Sequence, residues 1–269
     1  MDAPGIQDLR DQLPDWSIKR DGISQGERVL RVYSLPRKGI AWGVHLYTAL
    51  GSLVGFLSLL AVYRERPREA FLWMMVAVII DGTDGLLARW AKVKAVLPAI
   101  DGSKMDDLVD YLNYVVVPTV LMYQWGLLPG RFGIIIAALP LISSAYGFCQ
   151  AEAKTADHFF KGFPSYWNIV AFYLYILSWP VWLNAAIILM LSVLVFLPVY
   201  FVYPSRTPTL KLLTCVLGAI WMVLLAELIR EIPKPSLTLF WVSLFFPGYY
   251  LALSLVLHRR RQALSVESG

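Results

Sequence analysis

The sequence predicts an all-α polytopic membrane bundle of about eight transmembrane helices with both termini in the cytoplasm, and three observations predict it. First, 58% of the 269 residues are apolar and only 16% are charged, with a mean hydropathy of +0.58. A soluble domain carries about a quarter charged residues, so this chain has too little polar surface to cover a globule in water. Second, several uncharged runs approach or exceed the roughly 20 apolar residues needed to cross a hydrocarbon core of about 30 Å. Third, the basic residues segregate to alternate connections. A disordered chain and a collagen-like fibre are excluded by the same composition.

The elements follow in chain order. The first 40 residues scatter Leu9, Leu13, Trp16, Leu30, Tyr33 and Leu35 among Lys and Arg. Either they lie as an amphipathic segment on anionic headgroups, or their charges serve only to fix topology. No cleavable signal is expected, because the first apolar run starts only after these residues. A transmembrane domain then occupies 41–260, followed by a cytoplasmic tail, 261–269. Its uncharged runs are Ala41 to Tyr63, Phe132 to Ala151, Gly162 to Ser205, Leu212 to Ala226 and Pro235 to Leu257. The 44-residue run from Gly162 to Ser205 is long enough for two passes, with a turn near Trp179, Pro180 and Asn184. Two more spans, within 70–88 and 106–128, carry carboxylates. Helices are required, since a spanning segment must satisfy its own backbone groups and no barrel-like alternation is present. With the N-terminus inside, 18 Lys and Arg fall on the inner side and 6 on the outer, which sets the orientation. Cys149 and Cys215 are too few for a disulfide framework and read as buried packing residues.

The chemistry lies in the two charged spans. Asp81 and Asp84 are three residues apart and Asp106 and Asp110 four; on helices each spacing puts the pair on one face. A hairpin of the two spans brings four carboxylates together beneath the cytoplasmic surface, with Gly85 and Gly102 leaving room beside them. One Asp at a helix centre costs about 2.5–3.5 kcal/mol to insert, against a total domain stability of about 5–15 kcal/mol. Four mutually repelling acids therefore need protonation or cations, and Arg89 alone cannot neutralise them. Oxygen-only ligands select Mg²⁺ or Mn²⁺, and two such ions suit displacement at phosphorus. Asp107, turned about 100° from Asp106, reads as a cap or surface residue, and Asp101 faces water. The three histidines lack metal-site spacing, which argues against zinc.

The combined pattern, Asp81-x-x-Asp84-Gly85-x-x-Ala88-Arg89 followed by Gly102-x-x-x-Asp106-x-x-x-Asp110, resembles the signature of the CDP-alcohol phosphotransferases. Twelve residues separate Arg89 from Gly102, a longer spacer than in most of that family. This spacer, with Ala41 to Ala49, Met105 to Leu112 and Gly162 to Asn168, resembles the bacterial branch that joins CDP-diacylglycerol to choline. The resemblance spans residues 40–260. It implies transfer of the phosphatidyl group from CDP-diacylglycerol to choline, giving phosphatidylcholine and CMP, in a bacterial cytoplasmic membrane with the active site facing the cytoplasm. It further implies that Asp81, Asp84 and Asp106 hold two divalent cations, Mn²⁺ or Mg²⁺, and that Asp110 is the catalytic base and a further candidate ligand. The nucleotide and its phosphates would meet Gly82, Thr83, Gly85, Ala88, Arg89, Gly102 and Ser103. A quaternary ammonium is held by aromatic faces, sometimes beside a carboxylate, which makes Tyr111, Tyr114, Tyr146, Glu152, Tyr166 and Trp167 the choline candidates. Trp125, Trp179, Trp182 and Trp241 read instead as an outer interfacial belt. Two other readings compete. One is a sibling transferase for serine, inositol or glycerol phosphate, the last disfavoured because only Lys154 and Lys161 lie near the pocket. The other is a cation transporter. Membrane lipids are expected partners, nucleic acid is not, and a homodimer stays open.

Overall fold

The computed structural model describes residues 35–267, apart from 152, 154, 156, 158 and 205, with side chains placed through Ala263. Most of the amphipathic N-terminal segment, together with Glu152 and Lys154, thus lies outside the described residues. The chain is predominantly helical: α1 Leu35–Tyr63, α2 Pro67–Trp90, the single turn α3 Val93–Val96, α4 Gly102–Asp110, a π-helical segment Tyr111–Val116, α5 Val117–Gln124, a 3₁₀ turn Gly130–Phe132, α6 Gly133–Cys149, α7 Trp167–Leu177, α8 Val181–Leu194, α9 Lys211–Glu231, α10 Leu237–Ser243 and α11 Phe245–Glu267. Five helical stretches are long and apolar enough to cross a membrane: 35–63, 67–90, 130–149, 211–231 and 237–263. The chain is an all-α polytopic membrane protein.

Local chemistry accounts for the breaks. The α1–α2 turn uses Glu65 in the left-handed region (φ 54°) and Pro67 at the first helical position, where a missing N–H costs nothing. After α2, Lys92 (φ 51°) turns the chain, and Asp101 caps α4 by accepting from the Ser103 and Lys104 amides at 3.1 and 3.2 Å. The cap is therefore Asp101, not Asp107, because only a residue preceding the helix can face its free amides. Pro118 has no N–H to give the Tyr114 carbonyl, and the helix widens into the π segment directly before it. The Asn113 amide spans the irregular turn, donating to Val109 O at 2.9 Å and Gly51 O at 3.0 Å.

The long uncharged run is broken more sharply than its composition implies. Ser178 (φ 48°) ends α7 and Pro180 precedes α8, so the turn falls where Trp179 and Pro180 place it. At 11 and 14 residues, the two helices rise only about 17 and 21 Å. Their ends away from that turn are joined by a short antiparallel ribbon absent from the sequence reading. Strands β1 Phe159–Lys161 and β2 Tyr200–Val202 pair Phe159 with Val202 and Lys161 with Tyr200. The ribbon rests on α11: Tyr250 Oη donates to Val202 O at 3.0 Å, the Arg261 guanidinium lies 3.9 Å from the Tyr200 ring centre, and Arg261 pairs with Asp157 at 2.9 Å.

The main core gathers Phe71, Met74, Val115, Met122, Trp167 and Phe240 from α2, the π–α5 segment, α7 and α10. Large apolar side chains such as Leu53, Ile134, Leu212 and Val223 point outward, as lipid solvation permits. Cys149 and Cys215 are also exposed. They lie on the outside of the bundle and are not buried packing residues, because in a membrane an apolar run does not distinguish the bundle interior from its outside. Trp179, Trp182 and Trp241 are exposed, whereas Trp125 is built into the bundle, its indole N–H on Val62 O at 3.1 Å and its ring against Phe71 and Tyr175.

Candidate active site

The site is assembled where α1, α2 and α4 meet. The buried face of α1 reads Ala41, Val44, His45, Thr48, Gly51, Gly55 and Ser58, a stripe of small and polar residues that lets the helices approach. A Cβ on Gly51 would stand 2.5 Å from Val109 Cγ1, and one on Gly55 2.8 Å from Asn113 Oδ1. Glycine at these two positions is thus a packing requirement, and it sets the depth at which α4 faces α2.

That approach brings Asp81, Asp84 and Asp106 together, one carboxylate oxygen of each lying within 4.8 Å of the others. Asp84 is buried and the other two are half-buried. Asp110 falls outside this triple. It stands one turn, about 6 Å of rise, beyond Asp106, where its charge acts on the phenols of Tyr114 and Tyr166. At the 4.8 Å spacing of the triple, two like charges repel by about 3.5 kcal/mol for an effective dielectric of about 20. Three such pairs approach the whole stability margin of a domain, about 5–15 kcal/mol. The set is all oxygen and spaced for a shared centre, so it fits a hard divalent cation.

The nucleotide candidates divide. Gly82 has open space around it, and Arg89 folds its guanidinium over Gly85, whose added Cβ would meet Nη1 at 3.2 Å. Ser103 is exposed at the mouth of a cleft of about 220 Å³ whose walls include Asp107, Phe148, Phe160 and Lys161. Thr83, by contrast, spends its hydroxyl on its own helix, donating to Ile79 O at 2.7 Å, and contacts Tyr47 Oη at 2.8 Å. Ala88 packs on the Val44–Val96 cluster. The room expected beside Gly102 is filled by His45, whose Cε1 would lie 3.1 Å from an added Cβ.

The choline candidates also divide. Tyr166 borders Tyr114 (centroids 6.4 Å apart) and Tyr250 (6.2 Å), forming a tyrosine row that runs from the carboxylates to the ribbon. Trp167 has no exposed surface and gives its N–H to Ser144 Oγ at 2.8 Å; it is a core residue with no face to offer. Tyr111 donates to Leu141 O at 2.9 Å and packs on Phe148, while Tyr146 is exposed against Phe196. Glu152 lies outside the described residues. The sequence reading missed Thr48, which donates to Asp84 Oδ2 at 2.8 Å, and gave no role to Tyr250. The polar i, i+3 pair His45 and Thr48 in an otherwise apolar helix was the available signal for the first.

Residues 45–247, which include every one of these carboxylates, match the CDP-alcohol phosphatidyltransferase family. The chain belongs to that family. It is a transferase of phospholipid biosynthesis, and CDP-alcohol phosphatidyltransferases depend on divalent cations. Among similar proteins is a phosphatidylcholine synthase of Legionella pneumophila, 41% identical over 229 residues, covering 82% of this chain and 90% of the relative. One of Pseudomonas aeruginosa is 37% identical, covering 80% and 92%, and one of Borreliella burgdorferi is 32% identical, also covering 80% and 92%. A CDP-alcohol phosphatidyltransferase has no need to spread its acids along an ion path, and here three of them converge on one point of one hairpin.

Proposed function

We propose that this CDP-alcohol phosphatidyltransferase moves the phosphatidyl group of CDP-diacylglycerol onto choline. The choline oxygen bonds to the phosphorus bearing diacylglycerol, the bond from that phosphorus to CMP breaks, and CMP leaves. The observation that carries the reading is the convergence of Asp81, Asp84 and Asp106 in a chain whose near-full-length relatives bear the name phosphatidylcholine synthase.

Each residue has a definite task in this reading. Asp81, Asp84 and Asp106 hold two divalent cations, Mn²⁺ or Mg²⁺, which when bound supply positive charge to the phosphate oxygens. Asp110, one turn further along and outside the triple, accepts the hydroxyl proton, a role that asks for a carboxylate near the site. Arg89 faces phosphate, and Gly82, Gly85 and Ser103 line the nucleotide's path. Tyr166, which like Tyr114 lies near both Asp81 and Asp110 but whose ring also borders Tyr250, is the leading choline contact; a quaternary ammonium offers no donor hydrogen, so an aromatic face among carboxylates suits it. The fold reading that goes with this has eight passes: the five long helices, the continuous helical stretch 102–124, and the short α7 and α8. Both termini and the active site then face the cytoplasm across a bacterial inner membrane, in keeping with the excess of Lys and Arg on that side.

The test is an acceptor panel. Purified protein given CDP-diacylglycerol, Mn²⁺ and labelled choline is expected to release CMP and place the label in lipid. Incorporation of serine or inositol in place of choline overturns the acceptor assignment and leaves the family assignment standing.

A further inference from the structure

Two hydroxyls outside the ligand set reach into it. Tyr114 Oη donates to Asp81 Oδ2 at 2.6 Å, and Thr48 Oγ1 donates to Asp84 Oδ2 at 2.8 Å. Both donors are buried, Tyr114 at 8% and Thr48 at 7% exposure. They come from different helices, Thr48 from α1 and Tyr114 from the π segment, so the two ligands of α2 are gripped from opposite neighbours. Each bond takes one carboxylate oxygen and fixes the plane of the group. Each of the two carboxylates also keeps an oxygen within 4.8 Å of one on Asp106.

The backbone around Tyr114 is arranged at a cost. The π turn that carries it is less favourable than an α turn and recurs chiefly where a side chain must be aimed. Here the Asn113 amide satisfies the Val109 carbonyl within that turn. Bonding at i→i+5 changes the phase of the helix relative to Asp106 and Asp110, and the phenol of Tyr114 meets Asp81 in that changed phase.

We propose that Tyr114 and Thr48 are positioning residues for the cation site, holding Asp81 and Asp84 in the orientation that binds metal, and that Tyr114 acts through its hydroxyl rather than as an aromatic face for choline. Groups that hydrogen-bond a metal's ligands typically contribute about 10–100-fold in metal affinity. The inference rests on the cation-site part of the proposed function and is independent of which alcohol is used.

Tyr114→Phe separates the two roles, because it keeps the ring and removes the bond. The experiment is a Mn²⁺ titration of the full-length, detergent-purified protein followed by electron paramagnetic resonance, with choline KM measured at saturating Mn²⁺. Tyr114→Phe is expected to weaken Mn²⁺ binding by about 10–100-fold and to leave choline KM at its wild-type value. Thr48→Val is expected to weaken binding similarly and Thr48→Ser to restore it, a rescue that simple loss of packing would not give. Wild-type Mn²⁺ affinity in both Tyr114→Phe and Thr48→Val overturns the proposal, as does a raised choline KM with unchanged affinity in Tyr114→Phe. If Tyr114→Phe does not fold, the Thr48 pair decides. Failure of the wild-type protein to bind Mn²⁺ removes the cation site itself, a distinct result.

Discussion

The hairpin of α2 and α4 with its α1 backing and the ribbon-closed stretch of α7 and α8 are built on opposite principles. In the first, helices close on glycines and the buried contacts are polar and directional: Thr48 to Asp84, Tyr114 to Asp81, Asn113 to Gly51. In the second, two short helices are held by aromatic packing and by backbone pairing at their base. A chemical site needs fixed distances, and directional bonds between closely packed backbones supply them. A wall built from short helices needs volume and shape, which aromatic rings supply.

Substitutions should separate the two principles, and the largest effects belong to the hairpin. Asp110→Asn is expected to lower turnover by about 10²–10⁴-fold, the usual worth of a general base, while binding of CDP-diacylglycerol persists; loss of that binding would make Asp110 a ligand first. Gly51→Val forces α1 away from Val109. It should cost about 1–3 kcal/mol, the usual price of overpacking, and take Mn²⁺ binding down with it, read by thermal unfolding and metal titration together. In the other region Trp167→Phe removes one of the two bonds to Ser144 Oγ, the other coming from Ser165 Oγ at 2.9 Å, and is expected to cost about 0.5–1.5 kcal/mol for the lost bond, with choline KM unchanged. Tyr166→Ala, only one residue away, is expected to raise choline KM well above any change for CDP-diacylglycerol. Equal kinetic effects at 166 and 167 would erase the distinction drawn between site and core.

The smallest effect lies where the ribbon meets α11. Partial burial pushes the Asp157 carboxyl up, but its bonds from Thr155 and from its own backbone N–H, with Arg261 beside it, outweigh this and hold it below the ordinary value of 3.8. A carboxyl depressed in the folded state stabilises above its unfolded pKa, and that contribution is lost as pH falls through the folded value. A slightly higher melting temperature of wild type over Asp157→Asn is therefore expected at neutral pH, and it should shrink as pH falls below the ordinary carboxyl value and vanish once pH passes the lower folded one. A difference that persists in acid would assign the contact to packing.

The acidic triple was legible in the sequence because helical spacing alone puts Asp81 beside Asp84, and a charged span cannot stay in lipid without a reason. The residues that grip it were not. Thr48 and Asp84 are 36 positions apart, and Tyr114 and Asp81 33; their meeting depends on how closely α1, α2 and the π segment pack, which is set by side-chain volumes across helices and not by any local period. The ribbon escaped notice for a related reason. Strands of three residues, one just ahead of the 44-residue uncharged run and one near its end, carry no alternation long enough to see. Trp167 and Cys149 show the same blindness from two sides: hydropathy ranks both as apolar, yet one lies at the centre of the bundle and the other on its rim.

The pairing of Phe159–Lys161 with Tyr200–Val202 has a practical corollary for engineering. A stretch whose entry and exit are stitched together can be exchanged as a cassette without altering the register of what flanks it. All four aspartates lie outside residues 159–202, so a chimera carrying a relative's version of that stretch keeps its reaction centre intact, and any shift in the alcohol it accepts is written in the transplanted piece alone.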